Sequence, residues 1–201
     1  ASSSLGAPTD IESGEIVMGE ESRNGDCALI YTGTGETTDR VMNLACAKST
    51  VTFDQSGTGL LKFSSAFVIS GYGHSKSLVL KGDTTGAGEL AGTIADPHDR
   101  AGKATTSITK SGTGKWTLSG TNTYSGITTV AQGTLILTHE RSLGPKTDVV
   151  IAAGAKLELN FNGKIKVRSC TLNGKKLPQG IYGATEHSAS ISGEGFLDVQ
   201  P

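Results

Sequence analysis

The sequence predicts an all-β protein built as a solenoid, a stack of similar coils made of short strands. Three observations lead to this prediction. Apolar residues alternate with polar ones along most of the 201 residues, which is the pattern of half-buried strands. Glycine introduces almost every alternating run. Finally, one segment of the chain is similar in sequence to another, as repeat architectures require.

The alternation can be followed along most of the chain, and helical periodicity is nearly absent. Its apolar members, in chain order, are Val51 and Phe53, Leu61 and Phe63, Leu78 and Leu80, Trp116 and Leu118, Leu135 and Leu137, Leu157, Leu159 and Phe161, and Ile165 and Val167. Turns such as Gly57-Thr58-Gly59 separate the runs, and glycine adopts positive φ there without steric cost. Short strands and tight turns therefore account for most of the chain.

The spacing of similar residues suggests the length of one coil. Residues 54–65 (DQSGTGLLKFSS) align without a gap with residues 109–120 (TKSGTGKWTLSG), at an offset of 55. Finer spacings lie near 20, and they are 18 from Leu61 to Val79, 19 from Leu118 to Leu137 and 22 from Leu137 to Leu159. A coil of about 20 residues predicts a solenoid whose neighbouring coils bury a continuous core. A β-sandwich, with strands at regular spacing, is the alternative.

The chain divides into a short N-terminal segment and one domain. Residues 1–24, rich in Glu, Ser and Gly, are predicted to be a linker or a capping strand that shields the first coil. Residues 25–201 are predicted to form a single β-solenoid domain. Within it, residues 109–137 are the repeat and residues 172–199 a terminal cap.

Three cysteines provide a separate test of the coil length. Cys27 and Cys46 are 19 residues apart, so coils of that length place them at equivalent positions on neighbouring strands, about 4.8 Å apart. That separation suits a disulfide, and two small buried cysteines are the alternative. The cysteines, Cys170 included, are too widely spaced for a zinc site.

Composition and charge exclude several classes of partner. The net charge is −1, and the 18 Lys and Arg are scattered along the chain, so we expect no nucleic acid partner. No apolar run approaches the roughly 20 residues that span a bilayer. The sequence starts with ASSSLGAPTD and without methionine, which fits the removal of an export signal, with a trimmed chain as the alternative.

Residues 109–137, TKSGTGKWTLSGTNTYSGITTVAQGTLIL, resemble the autotransporter-associated β-strand repeat, also called the passenger-associated transport repeat. Ile127, in place of the usual glycine, is a minor departure. The resemblance implies a right-handed parallel β-helix and export, with secretion or display at the cell surface. It carries no catalytic residues. The positions that match are Lys110, Gly112, Gly114, Thr117, Leu118, Gly120, Asn122, Thr123, Tyr124, Gly126, Thr128, Val130, Gly133, Thr134 and Leu135.

Within this repeat the pattern assigns a scaffold role to most residues. The aliphatic side chains are expected to face the core and the glycines to form corners. The flanks, residues 39–63 and 172–199, resemble secreted repeat proteins of environmental bacteria. We therefore expect further domains of a longer parent protein. The expected core residues are Leu118, Val130, Leu135 and Leu137, and the expected corner residues are Gly112, Gly120, Gly126 and Gly133.

Aromatic residues are the candidates for binding a polysaccharide. A sugar ring packs its C–H face on an aromatic ring while flanking polar groups bind its hydroxyls. Tyr72 and Tyr182 lie in glycine-rich contexts and are the better candidates. Trp116 alternates with Leu118 and is also a candidate core residue. Tyr124 is a candidate corner residue as well as a candidate ligand contact.

One loop, residues 94–102 (IADPHDRAG), brings two carboxylates and a histidine close together in sequence. Asp96 and Asp99 are candidate calcium ligands, because calcium prefers carboxylate and carbonyl oxygens. Aspartate next to Pro, Arg and Gly is also ordinary turn chemistry. Calcium is therefore the one cofactor that the sequence suggests, and a solvated turn is the alternative.

Three functions remain in competition at this stage. The first is a non-catalytic secreted module that binds extracellular or cell-envelope polysaccharide, as an accessory domain of a carbohydrate-active protein. The second is a structural passenger or adhesin stalk segment without a small ligand. The third is a polysaccharide lyase or hydrolase, which the β-helix fold permits although the sequence shows no catalytic motif.

Overall fold

The protein is a parallel β-helix in a computed structural model, which describes residues 14–20, 25–47, 49–70 and 73–200. The chain passes through one large sheet and then through the other. It then returns to the first sheet, displaced by one coil. The larger sheet has eight strands, and, apart from the last two, its neighbouring strands are not consecutive in sequence, as a solenoid requires. In spatial order these strands are β2 (Cys27–Tyr31), β5 (Thr50–Gln55), β7 (Lys76–Lys81), β9 (Thr106–Lys110), β11 (Thr128–Val130), β13 (Asp148–Ile151), β16 (Ser169–Leu172) and β17 (Lys175–Lys176).

The second large sheet has seven strands, and two small sheets complete the architecture. The seven strands are β3 (Glu36–Thr38), β6 (Leu60–Phe63), β8 (Ala87–Leu90), β10 (Lys115–Leu118), β12 (Thr134–Leu137), β14 (Lys156–Leu159) and β19 (Ile191–Gly193). The small sheets contain β1 (Ile16–Met18) with β4 (Met42–Leu44), and β15 (Lys164–Val167), β20 (Phe196–Val199) and β18 (Gly180–Tyr182). One short helix, α1 (Ala184–His187), lies near the C-terminal end of the described chain.

Strand direction decides between the solenoid and the sandwich. Neighbouring strands of the seven-stranded sheet are all parallel. In the described part of the chain only two named pairs are antiparallel, β16 with β17 and β18 with β20. A sandwich consists of facing antiparallel sheets, so the prediction of a parallel β-helix is confirmed.

The core is a ladder of side chains that point inward from successive coils. Parallel pairing aligns Phe63, Leu90, Leu118, Leu137 and Leu159 in one column of the seven-stranded sheet. Each of these five residues has no exposed surface. Burying a side chain of this size stabilises the fold by about 1.5–3 kcal/mol, and no single coil could bury its own face alone. The aliphatic residues expected to face the core within the repeat are buried as predicted.

Coil length is less uniform than the sequence predicts. From the repeat onward, Leu118 pairs with Leu137 and Leu137 with Leu159, so the coils have about the predicted length. Earlier coils are longer, because Leu78 pairs with Ile108, 30 residues further along. The predicted equivalence of Leu61 and Val79 is wrong, since they lie on different sheets. The connections between β6 and β7 and between β8 and β9 contain the additional residues.

The 55-residue offset spans two of these longer coils. Leu61 pairs with Gly88, and Gly88 pairs with Trp116. The predicted stacking of Cys27 on Cys46 is also wrong, because Cys27 pairs with Val51. Both cysteines are free thiols in the structure. The longer first coils are the physical reason, since 24 residues separate Cys27 from its partner.

The division of the chain into segments stays a prediction. Residues 1–13 and 21–24 of the predicted N-terminal segment lie outside the described residues, and its remaining part includes β1, which pairs with β4 in parallel. The segment predicted as a terminal cap contains both antiparallel pairings. Within the described ranges, no helix has the length and apolar character required to cross a membrane.

Candidate functional site

Trp116 lies inside the β-helix rather than on its surface. Its side chain is 1% exposed, and its indole Nε1 donates a hydrogen bond to the Lys81 carbonyl oxygen at 2.8 Å. The ring occupies the space beside Gly88, the residue opposite it on the preceding coil. Because both ring faces are covered, Trp116 has no surface on which a sugar could pack.

Tyr124 is the corner residue of the repeat. The side chain is fully buried, and its hydroxyl shares a hydrogen bond of 2.7 Å with Thr128 Oγ1. Burial raises the pKa of the Tyr124 hydroxyl well above its ordinary value. The next coil runs against its backbone, where Gly144 is in close approach to the Tyr124 carbonyl oxygen. This geometry suits a structural residue, and it leaves no ring surface for a ligand.

Lys110, the first residue of the repeat motif, is a buried cation. It has no exposed surface, and its Nζ donates hydrogen bonds to the carbonyl oxygens of Ser111, Gly112 and Gln132 at 2.8, 2.7 and 3.2 Å. Burial lowers the pKa of Lys110 to about 8, and the carboxylate of Asp83 partly opposes this shift. The ammonium group closes the corner between β9 and β10 and ties it to the next coil.

Replacing Lys110 with methionine tests this role of the ammonium group. We expect Lys110→Met to lower the free energy of unfolding by about 2–3 kcal/mol, because three carbonyl oxygens, one buried and two partly buried, lose their charged donor. Urea denaturation followed by circular dichroism measures the change. Lys115→Met, at an exposed position of β10, is the matched control and should change stability by less than about 0.5 kcal/mol. Equal losses in both variants would contradict the assignment.

Asp96 and Asp99 use their carboxylates to hold backbone and side-chain donors. Asp96 accepts hydrogen bonds from the backbone amides of Thr106 and Ser125 and from the Ser125 hydroxyl. Asp99 accepts from the amides of residues 101, 103 and 104, and these bonds hold the pKa of its carboxyl below the ordinary value. Among the described residues, no group of three His, Cys, Asp or Glu is placed to hold a metal ion. Calcium binding by Asp96 and Asp99 stays a prediction.

Of the two tyrosines expected in glycine-rich contexts, the structure describes one. Tyr72 lies outside the described residues. Tyr182, at the end of β18, is half-buried, and its hydroxyl donates to the Pro178 carbonyl oxygen at 2.9 Å. Its ring centroid is 5.5 Å from that of His187. Tyr182 is therefore the one candidate aromatic in the described chain that keeps part of its ring at the surface, and ligand binding there stays a prediction.

An open polar groove of about 670 Å³ lies on the long early coils. Its floor contains the outward-facing hydroxyls of Thr50, Ser77 and Ser107, which pairing aligns in one row across three strands. A row of hydroxyls between loops can form hydrogen bonds, but the groove has no aromatic lining among the described residues. Its lining is Ser49, Thr50, Gly73, His74, Ser75, Lys76, Ser77, Asp99, Lys103, Ala104 and Ser107.

Sequence reasoning missed the role of Lys110, although the signal was present. The alternation Thr106, Ile108, Lys110 continues the inward face of β9 up to the corner. A charged residue at an inward position needs partners, and the glycine-rich corner that follows supplies bare carbonyl oxygens. The sequence from Thr106 to Gly114 therefore also predicts that the Lys110 ammonium group is bound by the carbonyl oxygens of the following turn.

Comparison with known proteins supports the interpretation of the repeat. The model of the passenger-associated transport repeat matches residues 108–137. An adhesin autotransporter, BmaC of Brucella suis biovar 1 (strain 1330), is 33% identical over 174 residues. The alignment covers 85% of this chain and 4% of that adhesin, so the chain spans a small part of its curated relative's length. A search of the solved structures found no match.

These similarities agree with the fold described above. The matched residues 108–137 extend from β9 to β12 and include strands of two neighbouring coils, because β9 pairs with β11 and β10 with β12; they supply part of the buried ladder and its corners. The prediction that the chain is secreted or lies at the cell surface is confirmed by the match to an autotransporter protein. The chain is therefore a parallel β-helix that contains a passenger-associated transport repeat at residues 108–137.

Proposed function

We propose that this chain is a structural segment of a longer surface-displayed passenger protein, in which it acts as a stiff spacer. The observation that carries the proposal is the uninterrupted stacking of parallel strands through the seven-stranded sheet and from β2 to β16 of the eight-stranded sheet. Each coil contacts only its neighbours and adds about 4.8 Å to the length of the stack. Such a segment extends in proportion to its number of coils and resists bending.

The interior is built for stacking and not for holding a ligand. The large inward side chains of the repeat, Trp116 and Tyr124, are buried and bonded within the protein. The similarity to an adhesin autotransporter supports a passenger segment. This chain corresponds to a small part of that relative. That a whole parent protein is adhesive and binds partners is therefore part of the proposal.

Polysaccharide binding is the second candidate function, and less supports it. The groove above the Thr50, Ser77 and Ser107 row has hydroxyl groups that could bind sugar hydroxyls. It has no described aromatic platform, which carbohydrate sites commonly use. A lyase or hydrolase activity has no described group of catalytic residues to support it.

Two measurements on the purified, folded chain test the spacer function. First, we expect no retention on a panel of immobilised bacterial and host polysaccharides. Second, the chain is placed between two fluorescent domains, and the distance between them is measured by energy transfer. We expect a narrow distance distribution, whereas a Gly/Ser linker with the same number of residues gives a broad one.

Each measurement has an outcome that would overturn the proposal. Saturable binding of the folded chain to one polysaccharide would make it a binding module. A distance distribution as broad as that of the Gly/Ser control would show that the chain does not act as a stiff spacer. Circular dichroism of each sample confirms folding, so loss of structure is not mistaken for flexibility.

A further inference from the structure

Cys27 lies at the first coil, on the inner side of an edge strand. The burial of β2 alternates so that Cys27, Leu29 and Tyr31 point inward, and Cys27 pairs with the fully buried Val51. Among the described residues, β2 pairs on one side only, with β5. Cys27 is consequently half-buried and packs against the main hydrophobic core.

Cys46 belongs to the same core and lies at the corner that leads from β4 to β5. Its side chain is fully buried, and its Sγ donates to the Ser49 carbonyl oxygen at 3.5 Å. The residues just before Cys27 bond to the same corner. The Gly25 amide donates to Ser49 Oγ at 2.6 Å, and Asp26 Oδ1 accepts from the Thr50 amide at 2.7 Å.

These contacts bring the two thiols to one corner of neighbouring coils. Burial raises the pKa of Cys27, and the neighbouring Cys46 raises it further. Such mutual influence between thiols weakens with distance, so it agrees with the contacts. Cys170 is different, because it is buried on β16 far along the stack and pairs with Val149.

We propose that Cys27 and Cys46 are a disulfide-forming pair that ties the edge strand β2 to the corner after β4. The secreted or cell-surface location supplies the oxidising conditions in which disulfides persist. The bond would close a loop around β3 and β4 and so restrict the unfolded chain. It would act on β2, which has a neighbour on one side only among the described strands, and edges of this kind open most easily.

The reaction needs an exchanging disulfide, for which oxidised glutathione is the probe. The thiolate of Cys27, the more exposed residue, attacks one sulfur of glutathione disulfide and releases one glutathione thiolate. The Cys46 thiolate then attacks the Cys27 sulfur, forms the Cys27–Cys46 bond and releases the second glutathione. The protein loses two electrons and two protons, and glutathione disulfide is reduced to two thiols.

Thiol counting on the full chain tests the proposal. The folded, reduced protein is incubated with glutathione disulfide at about pH 8.5, where more thiolate is present, and is then denatured and alkylated. We expect the number of free thiols to fall from three to one. After trypsin digestion, peptide 24–40 should be joined to peptide 41–48, while peptide 169–175, which contains Cys170, should be alkylated.

The variants separate this bond from other oxidation. Cys170→Ser should form the same bond and retain no free thiol, and its midpoint of urea unfolding should rise on oxidation as it does for the parent chain. Cys46→Ser should form no internal bond and show no rise. Three free thiols after oxidation, a bond that includes Cys170, or a bond between two chains would overturn the proposal.

Discussion

Trp116→Ala should lower the free energy of unfolding by about 3–5 kcal/mol, the range found when a large buried aromatic is truncated. The indole fills the space beside Gly88, which has no side chain with which to occupy a cavity. The substitution also leaves the Lys81 carbonyl oxygen without its indole donor. Urea denaturation monitored by far-ultraviolet circular dichroism measures the loss.

Ile127→Thr is the matched control for this prediction. Ile127 belongs to the same repeat, is 45% exposed, and becomes another β-branched residue, so strand propensity is retained. We expect a change within about 0.5 kcal/mol. If Trp116→Ala were as stable as this control, the side chain would not be the core residue that the structure describes. It would then return as a candidate for sugar stacking.

Gly120→Ala should destabilise the protein by on the order of 3 kcal/mol, because the added methyl group meets backbone rather than a movable side chain. A Cβ at this corner would lie 2.2 Å from the Gly92 carbonyl oxygen and 2.7 Å from the Gly92 carbonyl carbon. Neighbouring coils would have to separate to admit it. The expected result is a lower midpoint of thermal unfolding and a lower yield of folded protein.

Gly25→Ala provides the comparison for Gly120→Ala. A Cβ at Gly25 has no neighbouring atom within 4 Å, so the same chemical change should have little effect there. Both midpoints are measured by scanning calorimetry under the same conditions. A shift at Gly120 no larger than that at Gly25 would mean that the coils are not packed as closely as described.

The repeat itself was largely predictable from the sequence. Period-two alternation identifies β10 and β12, and the buried positions Leu118, Val130, Leu135 and Leu137 follow from it. The corner glycines were predictable too, and Gly112 and Gly133 have φ values of 76° and 68°. Local sequence is sufficient here because side-chain direction in a strand depends only on the position along the strand.

The early coils and the candidate sites were not predictable in the same way. Their register depends on the lengths of the connections between strands, such as those between β6 and β7 and between β8 and β9, and a connection can grow without changing the strands that it joins. The spacing of Cys27 and Cys46 led to the wrong stacking partner because the first coil, from Cys27 to Val51, is also longer than predicted. The surroundings of Asp96 were also hidden, because Ser125, one of its hydrogen-bond partners, lies 29 residues away.

The sequence by itself determined that this chain is a glycine-rich all-β protein, because strand alternation and turn residues are local properties, and residues 109–137 carried the resemblance to the passenger-associated transport repeat. Only the tertiary structure decided which coils stack on which, that Trp116 and Tyr124 are interior residues, and that Lys110 is a cation held by three carbonyl oxygens. The physical reason is that burial and hydrogen bonding at a corner come from the adjacent coil. That coil is 19 to 34 residues away in sequence and one strand spacing away in space.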